Sequence, residues 1–488
     1  MTVRTINKLQ NFFGIDFGTT SSALVGYTTM GKTKVKWRIG DNTERPIPSV
    51  IAIDNKTGQV YKGREAWEKE AELSKTCTCV PSVKTILDKD DTYFIAGKEW
   101  NNIDIAAELF KALKERAKSY KHLDISAATV AIPIGFSVKK RENLRKAARM
   151  AGIEINSFIS EPTAAFFANY KDVRGDTIVV VFDWGGGTLD ISVIQNVGGM
   201  ISELATGGLP IAGNDIDDKV ARKVHSRIAR KKGLQISFDD MDPADQDLLR
   251  VKVEAAKRAL GDVDYSEITM NNYGKFGACA ETLDYDWFAA IIEPEVSEAV
   301  KTLKKVINDS GVGLANVDRI LMVGGSSNLR TLEEKLEDEE DLYDKILFPE
   351  ETMWNVGEGA ALLDMTPGAY YSNQEINLIL SDGTPFPLLK KDEPLENWRK
   401  HCSFGVVDTT DEARIVFGGS KDIEESSDRF ISLPVYGFLE EKVLLEAAVD
   451  KNNVFRVRAQ SHNRPKEYSR FWNYTRLKSY YKLPNKLV

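Results

Sequence analysis

The chain has 488 residues, of which 42% are hydrophobic and 28% charged, and its formal net charge is −8. This length exceeds what one hydrophobic core supports, so two to four domains are expected, and the acidic balance argues against general nucleic-acid binding. The sequence has no apolar run of about 18 residues, which predicts no transmembrane helix, and its four cysteines indicate a reducing, cytoplasmic location and not a disulfide scaffold.

The first predicted element is a β-hairpin near the N-terminus. Apolar residues flank Asp16-Phe17-Gly18-Thr19-Thr20, so two strands are joined by a turn that contains glycine and two hydroxyl side chains. Such a turn presents backbone N–H groups and hydroxyls that can wrap a phosphate. The Asp16 carboxylate would repel a phosphate unless a cation such as Mg²⁺ lies between them, often through water. A structural hairpin with a local aspartate cap is the alternative for this copy alone.

Strands and helices alternate after this hairpin. Strands are predicted over 35–38, 49–53, 60–63 and 127–132, and helices over 64–75, 103–118 and 137–151. Lys84 is a lone lysine in a short apolar segment, and such lysines are usually solvated surface charges. Glu161 opens a further helix with Pro162 behind it, and an acidic residue there stabilises a helix N-terminus. Each residue therefore has a structural explanation, with a chemical role as the alternative.

A second copy of the hairpin pattern follows at residues 181–193. It carries Asp-Trp-Gly-Gly-Gly-Thr over 183–188 between two apolar runs. A repeat at this domain-sized spacing indicates two related lobes, the second beginning near residue 172, and not a solenoid with a period of about 20–50 residues. Two turns that each carry an aspartate indicate a nucleoside triphosphate clamped between the lobes.

Two other phosphate-binding arrangements fit the sequence poorly. There is no G-x-x-x-x-G-K-[ST] run, so the chain is not a P-loop enzyme. The glycines over 185–187 precede a strand-like run where a dinucleotide-binding crossover would have a helix.

Both turns resemble the phosphate motifs of the actin-like ATPase superfamily, and within it most closely those of the heat shock protein 70 (DnaK-type) chaperones. The resemblance is close over residues 13–363 and loose over 376–460. It implies an α/β fold with a two-lobed, actin-like nucleotide-binding domain of duplicated ribonuclease-H-like lobes over residues 1–370. A smaller antiparallel β domain is expected over 376–488. The implied ligands are ATP or ADP and Mg²⁺, with K⁺ as a further candidate ion.

The resemblance also assigns roles to residues. Lys84 matches the family lysine that points at the γ-phosphate, and Glu161 lies in the family's E-P-T-A-A motif; with Asp183 and Thr188 they are the predicted catalytic residues. Asp16 and Asp183 are expected to hold Mg²⁺ through water. The predicted nucleotide contacts are Gly18, Thr19, Thr20, Gly185, Gly186, Gly187, Thr188, Gly213, Glu254, Lys257, Arg258, Gly324, Gly325, Ser326 and Ser327.

The contacts to the nucleoside come from two segments. Glu254, Lys257 and Arg258 share one face of a predicted helix over 248–260, so ion pairs within the helix are the alternative to contacts with adenine and ribose. An apolar strand over 319–323 meets a glycine-serine turn that resembles the family's adenosine motif. Asn328 stands where the family usually has arginine, which weakens the expected stacking on the base.

Two predictions concern packing. Small residues in Gly357-Glu358-Gly359-Ala360-Ala361 resemble the family helix that crosses the helix after Glu161 at close range.

The C-terminal run 464–486 interleaves basic residues with tyrosines, a composition typical of nucleic-acid binding. A terminal segment that packs its aromatic rings on the domain is the more common structure for such a run.

From about residue 375, short apolar runs separated by turns predict the β domain, which loosely resembles the substrate-binding domain of the chaperones. The helical lid that follows in the family is expected to be missing, and Met365–Tyr371 stands where the acidic-aliphatic linker would be. Both departures put the usual coupling between domains in doubt.

Three functional hypotheses follow. The first is a slowly hydrolysing, ATP-dependent chaperone for unfolded or extended polypeptides, with a J-domain cochaperone and a nucleotide exchange factor as candidate partners. The second is a regulatory or scaffolding ATPase that holds one folded partner. The third is a sugar kinase or a filament-forming relative. A sugar kinase would need an acidic base at a sugar pocket, which the sequence does not identify. Filament-forming relatives usually end near the ATPase core, whereas this sequence continues into a predicted β domain.

Overall fold

The computed structural model describes residues 9–68, 76–80, 82–173, 175–406, 412–434, 442–462 and 469–483. The chain divides into two compact units. Unit 1 comprises Met1–Gln195 and Glu203–Thr366, and unit 2 comprises Asn196–Ser202 and Pro367–Val488. No helix in these described ranges is long and apolar enough to cross a membrane.

The strands and helices of unit 1 follow one another along the chain with short connections. Its strands are β1 (Gln10–Asp16), β2 (Ser21–Met30), β3 (Thr33–Ile39), β4 (Ile47–Pro48), β5 (Ile51–Asp54), β6 (Val60–Lys62), β7 (Cys77–Val80), β8 (Thr92–Ile95), β9 (Lys98–Asn101), β10 (Ala127–Ile132), β11 (Glu154–Ser160), β12 (Thr177–Trp184), β13 (Leu189–Val197), β14 (Met200–Leu209), β15 (Tyr265–Met270), β16 (Cys279–Asp284), β17 (Arg319–Val323) and β18 (Ile346–Leu347). Its helices are α1 (Arg64–Glu68), α2 (Val83–Ile86), α3 (Asn102–Lys121), α4 (Val138–Met150), α5 (Glu161–Ala168), α6 (Gly213–Lys232), α7 (Pro243–Ala259), α8 (Tyr285–Asp309), α9 (Arg330–Glu337), α10 (Glu340–Tyr343) and α11 (Asn355–Met365).

Two sheets with the same strand order form the centre of unit 1. One has the order β11-β10-β1-β2-β3, with β4 beside β2, and the other contains the order β18-β17-β12-β13-β14. Strand β1 runs parallel to β10 and antiparallel to β2, and β12 runs parallel to β17. Each sheet buries its apolar side chains in a core of its own. The repeat visible in the two hairpins therefore extends to a duplicated order of five strands, as the predicted fold class requires.

Side-chain caps decide where two helices near the site begin. Helix α5 follows Ser160, whose hydroxyl accepts a backbone N–H from the first turn. Helix α6 begins at Gly213, where the Asp215 carboxylate accepts the N–H of Ala212 at 2.9 Å. Of the helix predicted over 64–75, α1 covers the first part, and residues 69–75 lie outside the described residues.

Helices α5 and α11 cross at very short range, as the small residues predicted. A Cβ added to Gly359 would lie 1.8 Å from the carbonyl oxygen of Ala164. A Cβ added to Gly14 on β1 would lie 2.1 Å from the backbone nitrogen of Ala361. The prediction of a close crossing is therefore confirmed, and it depends on glycine because the neighbouring atoms belong to the backbone.

Unit 2 contains antiparallel strands and one short helix in the ranges that the structure describes. Its elements are β19 (Ala369–Ser372), β20 (Ile376–Ile379), β21 (Pro385–Leu389), β22 (Arg399–Gly405), β23 (Glu412–Gly418), α12 (Lys421–Glu424), β24 (Phe430–Pro434), β25 (Lys442–Val449), β26 (Phe455–Ser461), β27 (Ser469–Tyr474) and β28 (Ser479–Lys482). Two sheets, β21-β20-β23-β24 and β22-β25-β26-β27, share one apolar core.

The C-terminal run forms strands β27 and β28 where it lies within the described residues. Strand β28 pairs antiparallel with β19, and Tyr481 and Lys482 also pair with Ile201 and Met200. Tyr474, Tyr480 and Tyr481 are buried. The interpretation that these rings pack on the protein is thus confirmed, because a buried ring is not available to stack on a base.

Candidate functional site

Three turns meet where parallel strands end. Asp16 is the last residue of β1, Asp183 lies near the end of β12, and Gly324 follows β17, the strand parallel to β12. The carboxyl ends of parallel strands share one edge of a sheet, where ligands of α/β proteins usually bind. Gly324 has φ +83°, and a Cβ there would lie 2.5 Å from Oδ1 of Asp183. Only glycine lets this turn approach the aspartate so closely.

The two predicted phosphate turns face each other directly. We call residues 17–20 turn 1 and residues 185–188 turn 2. A Cβ on Gly186 would lie 2.2 Å from Oγ1 of Thr20, and a Cβ on Gly187 would lie 3.0 Å from Cγ2 of Thr19. The structure therefore brings the hydroxyl side chains of turn 1 against the bare backbone of turn 2.

Helix α6 and the third turn, which follows β17 at Gly324, donate hydrogen bonds to the carbonyl oxygens of turn 2. The carbonyl oxygen of Gly185 accepts from Gly213 N at 3.1 Å and from Ser326 Oγ at 2.8 Å, and that of Gly186 accepts from Asn214 N at 2.9 Å. In a trans peptide the N–H points opposite to the preceding C=O. The N–H groups of Gly186 and Gly187 are therefore directed away from α6, and successive N–H groups in a turn can bind an anion.

Lys84 and Glu161 form a buried ion pair beside these turns. Nζ of Lys84, on α2, donates to Oε1 of Glu161, the first residue of α5, at 2.7 Å. Lys84 is 9% exposed. Burial alone would lower the pKa of Lys84, but the charges of Glu161 and Asp16 raise it above its usual value, so the lysine stays protonated. The alternative of a solvated Lys84 is excluded.

Four carboxylates are grouped around this lysine. Asp16, Asp183 and Asp190 all interact electrostatically with the Lys84–Glu161 pair. Burial, and after it the charge of Glu161, raises the pKa of Asp16 to about 7. Burial and the neighbouring carboxylates hold the pKa of Asp183 well above its usual range. The protein alone therefore favours the protonated form of both acids, and a bound cation would favour their carboxylate form instead.

Mg²⁺ suits this cluster by its chemistry. The ion prefers oxygen ligands and usually keeps several of its waters, and the two aspartates lie beside the cradle that turn 1 and turn 2 form. No three His, Cys, Asp or Glu side chains in the described part of the chain are grouped closely enough to hold a metal directly. Asp16 and Asp183 fit such an ion through its water molecules.

The raised pKa of Asp16 predicts how stability without ligand depends on pH. The folded state favours the protonated acid, so this contribution is full below the ordinary aspartate pKa of 3.8 and is lost as the pH rises through about 7. The free energy of unfolding should fall between about pH 4 and about pH 7, and it should fall less in Asp16→Asn. Urea denaturation of both proteins across this range is the measurement, and identical slopes would contradict the assignment.

The residues predicted to contact the nucleoside occupy two different environments. On α7, Glu254 and Arg258 pair with each other one turn apart, as the alternative of an ion pair within the helix required. Lys257 instead reaches Asp217 on α6 at 2.8 Å and the carbonyl oxygen of Gly213 at 3.2 Å. Lys257 therefore lies close to turn 2, whereas the Glu254–Arg258 pair is more exposed to solvent.

The third turn is anchored through its two serines. Ser326 Oγ donates to Gly185 O, and Ser327 Oγ accepts the N–H of Trp184 at 3.2 Å. Both serines are buried; Ser326 supports turn 2, and Ser327 supports the end of β12 that precedes it. Asn328 donates through Nδ2 to Thr352 Oγ1 at 2.8 Å, so this amide is engaged within the protein.

Three residues that the sequence analysis did not name support the predicted site: Ser49, Asp190 and Asp217. Thr188 Oγ1 donates to Asp190 at 2.7 Å. Ser49 supports turn 1, donating its hydroxyl to Gly18 O and its N–H to Thr20 O, both at 2.8 Å. Asp190 could have been found from the sequence, because it stands two residues after the Thr188 hydroxyl. The residues next to Ser49 and Asp217 in the sequence give no such signal.

Comparison of the sequence with known proteins identifies relatives of this chain. The family model described as Hsp70 protein matches residues 63–361. A chaperone protein HscA homolog of Pseudomonas putida is 34% identical over 233 residues, which is 48% of this chain and 36% of that protein. The homolog of Pseudomonas fluorescens is 33% identical over 228 residues, 46% of this chain and 35% of its own length. The chain thus spans about a third of the length of these curated relatives.

Proposed function

The chain belongs to the Hsp70 family, and on that premise we propose that it binds ATP with Mg²⁺, hydrolyses it slowly and uses the nucleotide state to switch polypeptide binding. The observation that carries this proposal is the group of four carboxylates around Lys84, placed beside two facing glycine-threonine turns. Buried acids beside two turns that can wrap a phosphate suit a divalent cation and its nucleotide.

The residues divide the chemistry among them. The N–H groups of turn 2 and the hydroxyls of turn 1 hold the phosphates, and Asp16 and Asp183 hold the water ligands of the ion. Mg²⁺ supplies the charge that offsets the phosphates. Lys84 opposes the negative charge that develops on the γ-phosphate. Glu161 has one oxygen on Lys84, which leaves the other to orient the attacking water.

Hydrolysis by this site should be slow because the carboxylate that orients the water is held in an ion pair. Lys84 is paired with Glu161, so the carboxylate that orients the water shares its charge with a lysine. Burial raises the pKa of Glu161, which Lys84 partly opposes. A slow step is suited to a conformational switch, in which the two nucleotide states persist long enough to favour different conformations.

Polypeptide is the proposed binding partner of the β domain. The two relatives in Pseudomonas are named chaperones, and unit 2 has the antiparallel sheets expected for a peptide-binding domain. We propose residues 1–370 as the nucleotide-binding domain and 376–488 as the polypeptide-binding domain. The described residues after Ser461 include the strands β27 and β28. A J-domain cochaperone, a nucleotide exchange factor, K⁺ and a cytoplasmic location stay predictions.

Single-turnover ATP hydrolysis, with and without a panel of extended hydrophobic peptides, tests the proposal. Wild-type protein should hydrolyse ATP slowly, and peptide should accelerate it. Gly186→Ala should weaken ATP binding about tenfold or more, because the new Cβ would lie 2.2 Å from the Thr20 hydroxyl. Titration calorimetry with ATP measures this second effect.

Gly405→Ala is the matched control, since a Cβ at that position meets no atom within 4 Å. It should bind ATP like the wild type. A wild-type protein that binds no ATP would contradict the nucleotide assignment. Slow hydrolysis that no peptide alters would instead favour the scaffolding ATPase with a dedicated partner.

A further inference from the structure

Ser49 is a fully buried serine that holds turn 1 at two points. It follows β4, which pairs antiparallel with the first two residues of β2, so the chain returns directly beside the end of turn 1. Its hydroxyl donates to Gly18 O and its N–H donates to Thr20 O, both at 2.8 Å. A hydrogen bond at this distance restricts the direction of the carbonyl that accepts it. Ser49 therefore fixes the peptide group before Thr19 and the one after Thr20.

A second buried serine orients the hydroxyl of Ser49. The Oγ atoms of Ser22 and Ser49 are 3.0 Å apart, and both residues are 0% exposed. A hydroxyl has only one hydrogen to donate. Because Ser49 donates its hydrogen to the carbonyl of Gly18, which can only accept, Ser22 is the donor between the two serines. The hydrogen bonds thus form a chain from Ser22 through Ser49 to turn 1, and neighbouring bonds in such a chain strengthen each other.

Turn 2 has an equivalent hydrogen bond. Gly18 and Gly185 each stand two residues after the aspartate that precedes their turn. The carbonyl oxygen of Gly185 accepts from Ser326 Oγ at 2.8 Å, which is also the distance from Ser49 Oγ to Gly18 O. Both turns therefore have a serine hydroxyl, from a distant part of the chain, on the carbonyl of their first glycine. A hydroxyl that donates can still accept, so this bond is compatible with the predicted nucleotide contact of Ser326.

We infer that Ser49 is a positioning residue, which directs the N–H groups of turn 1 towards the phosphates and turns the carbonyl oxygens away from them. This inference rests on the proposed function. In a trans peptide the N–H lies opposite to the C=O, so the N–H groups of Thr19 and Ser21 point away from the side on which Ser49 lies. Without the Ser49 hydroxyl, the carbonyl of Gly18 is free to rotate, and a carbonyl oxygen directed at a phosphate would repel it.

Ser49→Ala removes the hydroxyl that holds turn 1. Titration calorimetry should show ATP affinity about fivefold lower, the loss expected for one hydrogen bond. Adenosine, which has no phosphate, should bind with an affinity within about twofold of that of the wild type. Ser372→Ala is the matched control, because Ser372 is also 0% exposed and its hydroxyl also donates to a backbone carbonyl, that of Gln374, at 2.6 Å. It should bind ATP like the wild type.

The double variant Ser22→Ala/Ser49→Ala separates positioning from folding. Ser49→Ala leaves the Ser22 hydroxyl buried without its acceptor, so its thermal unfolding midpoint without ligand should be lower than that of the double variant, in which no hydroxyl is stranded. ATP affinity should nevertheless stay about fivefold reduced in the double variant, because Gly18 O still lacks its donor. A role in stability alone would make the ATP affinity recover together with the midpoint.

Three results would overturn the inference. The first is a Ser49→Ala variant that binds ATP as well as the wild type, and the second is an equal loss of ATP and adenosine affinity in that variant. The third is wild-type ATP affinity in the double variant. If the wild-type protein binds neither ligand, the proposed function fails. A double variant no more stable than Ser49→Ala would then contradict the chain of hydroxyl groups separately.

Discussion

Replacing Lys84 with methionine is expected to slow single-turnover ATP hydrolysis by about 100-fold or more. The reason is that the buried Lys84 ammonium is paired with Glu161 and also interacts electrostatically with Asp16 and Asp190, and losing one preorganised charge at a developing anion typically costs about two to three orders of magnitude. Rapid-quench measurement of ADP formation at saturating ATP checks this. The same substitution should weaken ATP binding much less, because the two turns remain.

Two further variants separate this chemistry from folding. Lys84→Met leaves Glu161 buried without its partner, which should lower the free energy of unfolding by about 3–5 kcal/mol. Adding Glu161→Gln should restore most of that stability and none of the hydrolysis. Lys139→Met is the matched control, because Lys139 is a half-exposed lysine of the same unit that pairs with Asp90. Recovery of hydrolysis in the double variant would contradict a catalytic role for the pair.

Gly359→Ala should lower the free energy of unfolding by about 3 kcal/mol, the upper range for overpacking. The added Cβ would lie 1.8 Å from the carbonyl oxygen of Ala164. That oxygen belongs to the backbone of α5, so the clash can be relieved only by separating α5 from α11. Urea denaturation of the ligand-free protein measures the change. Because α5 begins at Glu161, hydrolysis should also fall.

Gly357→Ala, two residues earlier on α11, is the control for this experiment. A Cβ there would lie 3.3 Å from Cγ2 of Val25 and 3.4 Å from Cβ of Ala23, and both are side-chain atoms. Alanine also favours helix over glycine by about 1 kcal/mol. The stability of this variant should therefore stay within about 1 kcal/mol of the wild type. Equal losses at both positions would show that the crossing does not depend on close backbone contact.

The sequence by itself determined the elements whose signal is local. The predicted strands over 127–132 and 319–323 have the same bounds as β10 and β17. Buried strands are recognisable from short apolar runs, which neighbouring residues decide. The two glycine turns and their aspartates were readable for the same reason, and their repetition indicated the duplicated lobes. The resemblance that follows from these turns was then enough to identify the family.

Only the tertiary structure decided which distant residues meet. From its neighbours in the sequence, Lys84 is expected to be a solvated surface charge, because they do not reveal that it pairs with Glu161. The shared helix face of Lys257 suggested ion pairs within α7, whereas its partner Asp217 lies on another helix. The tyrosines of β28 were compatible with nucleic-acid binding until pairing with β19 buried them. Each of these outcomes depends on contacts between segments far apart in the chain, whose geometry is set by packing that no local stretch of sequence contains.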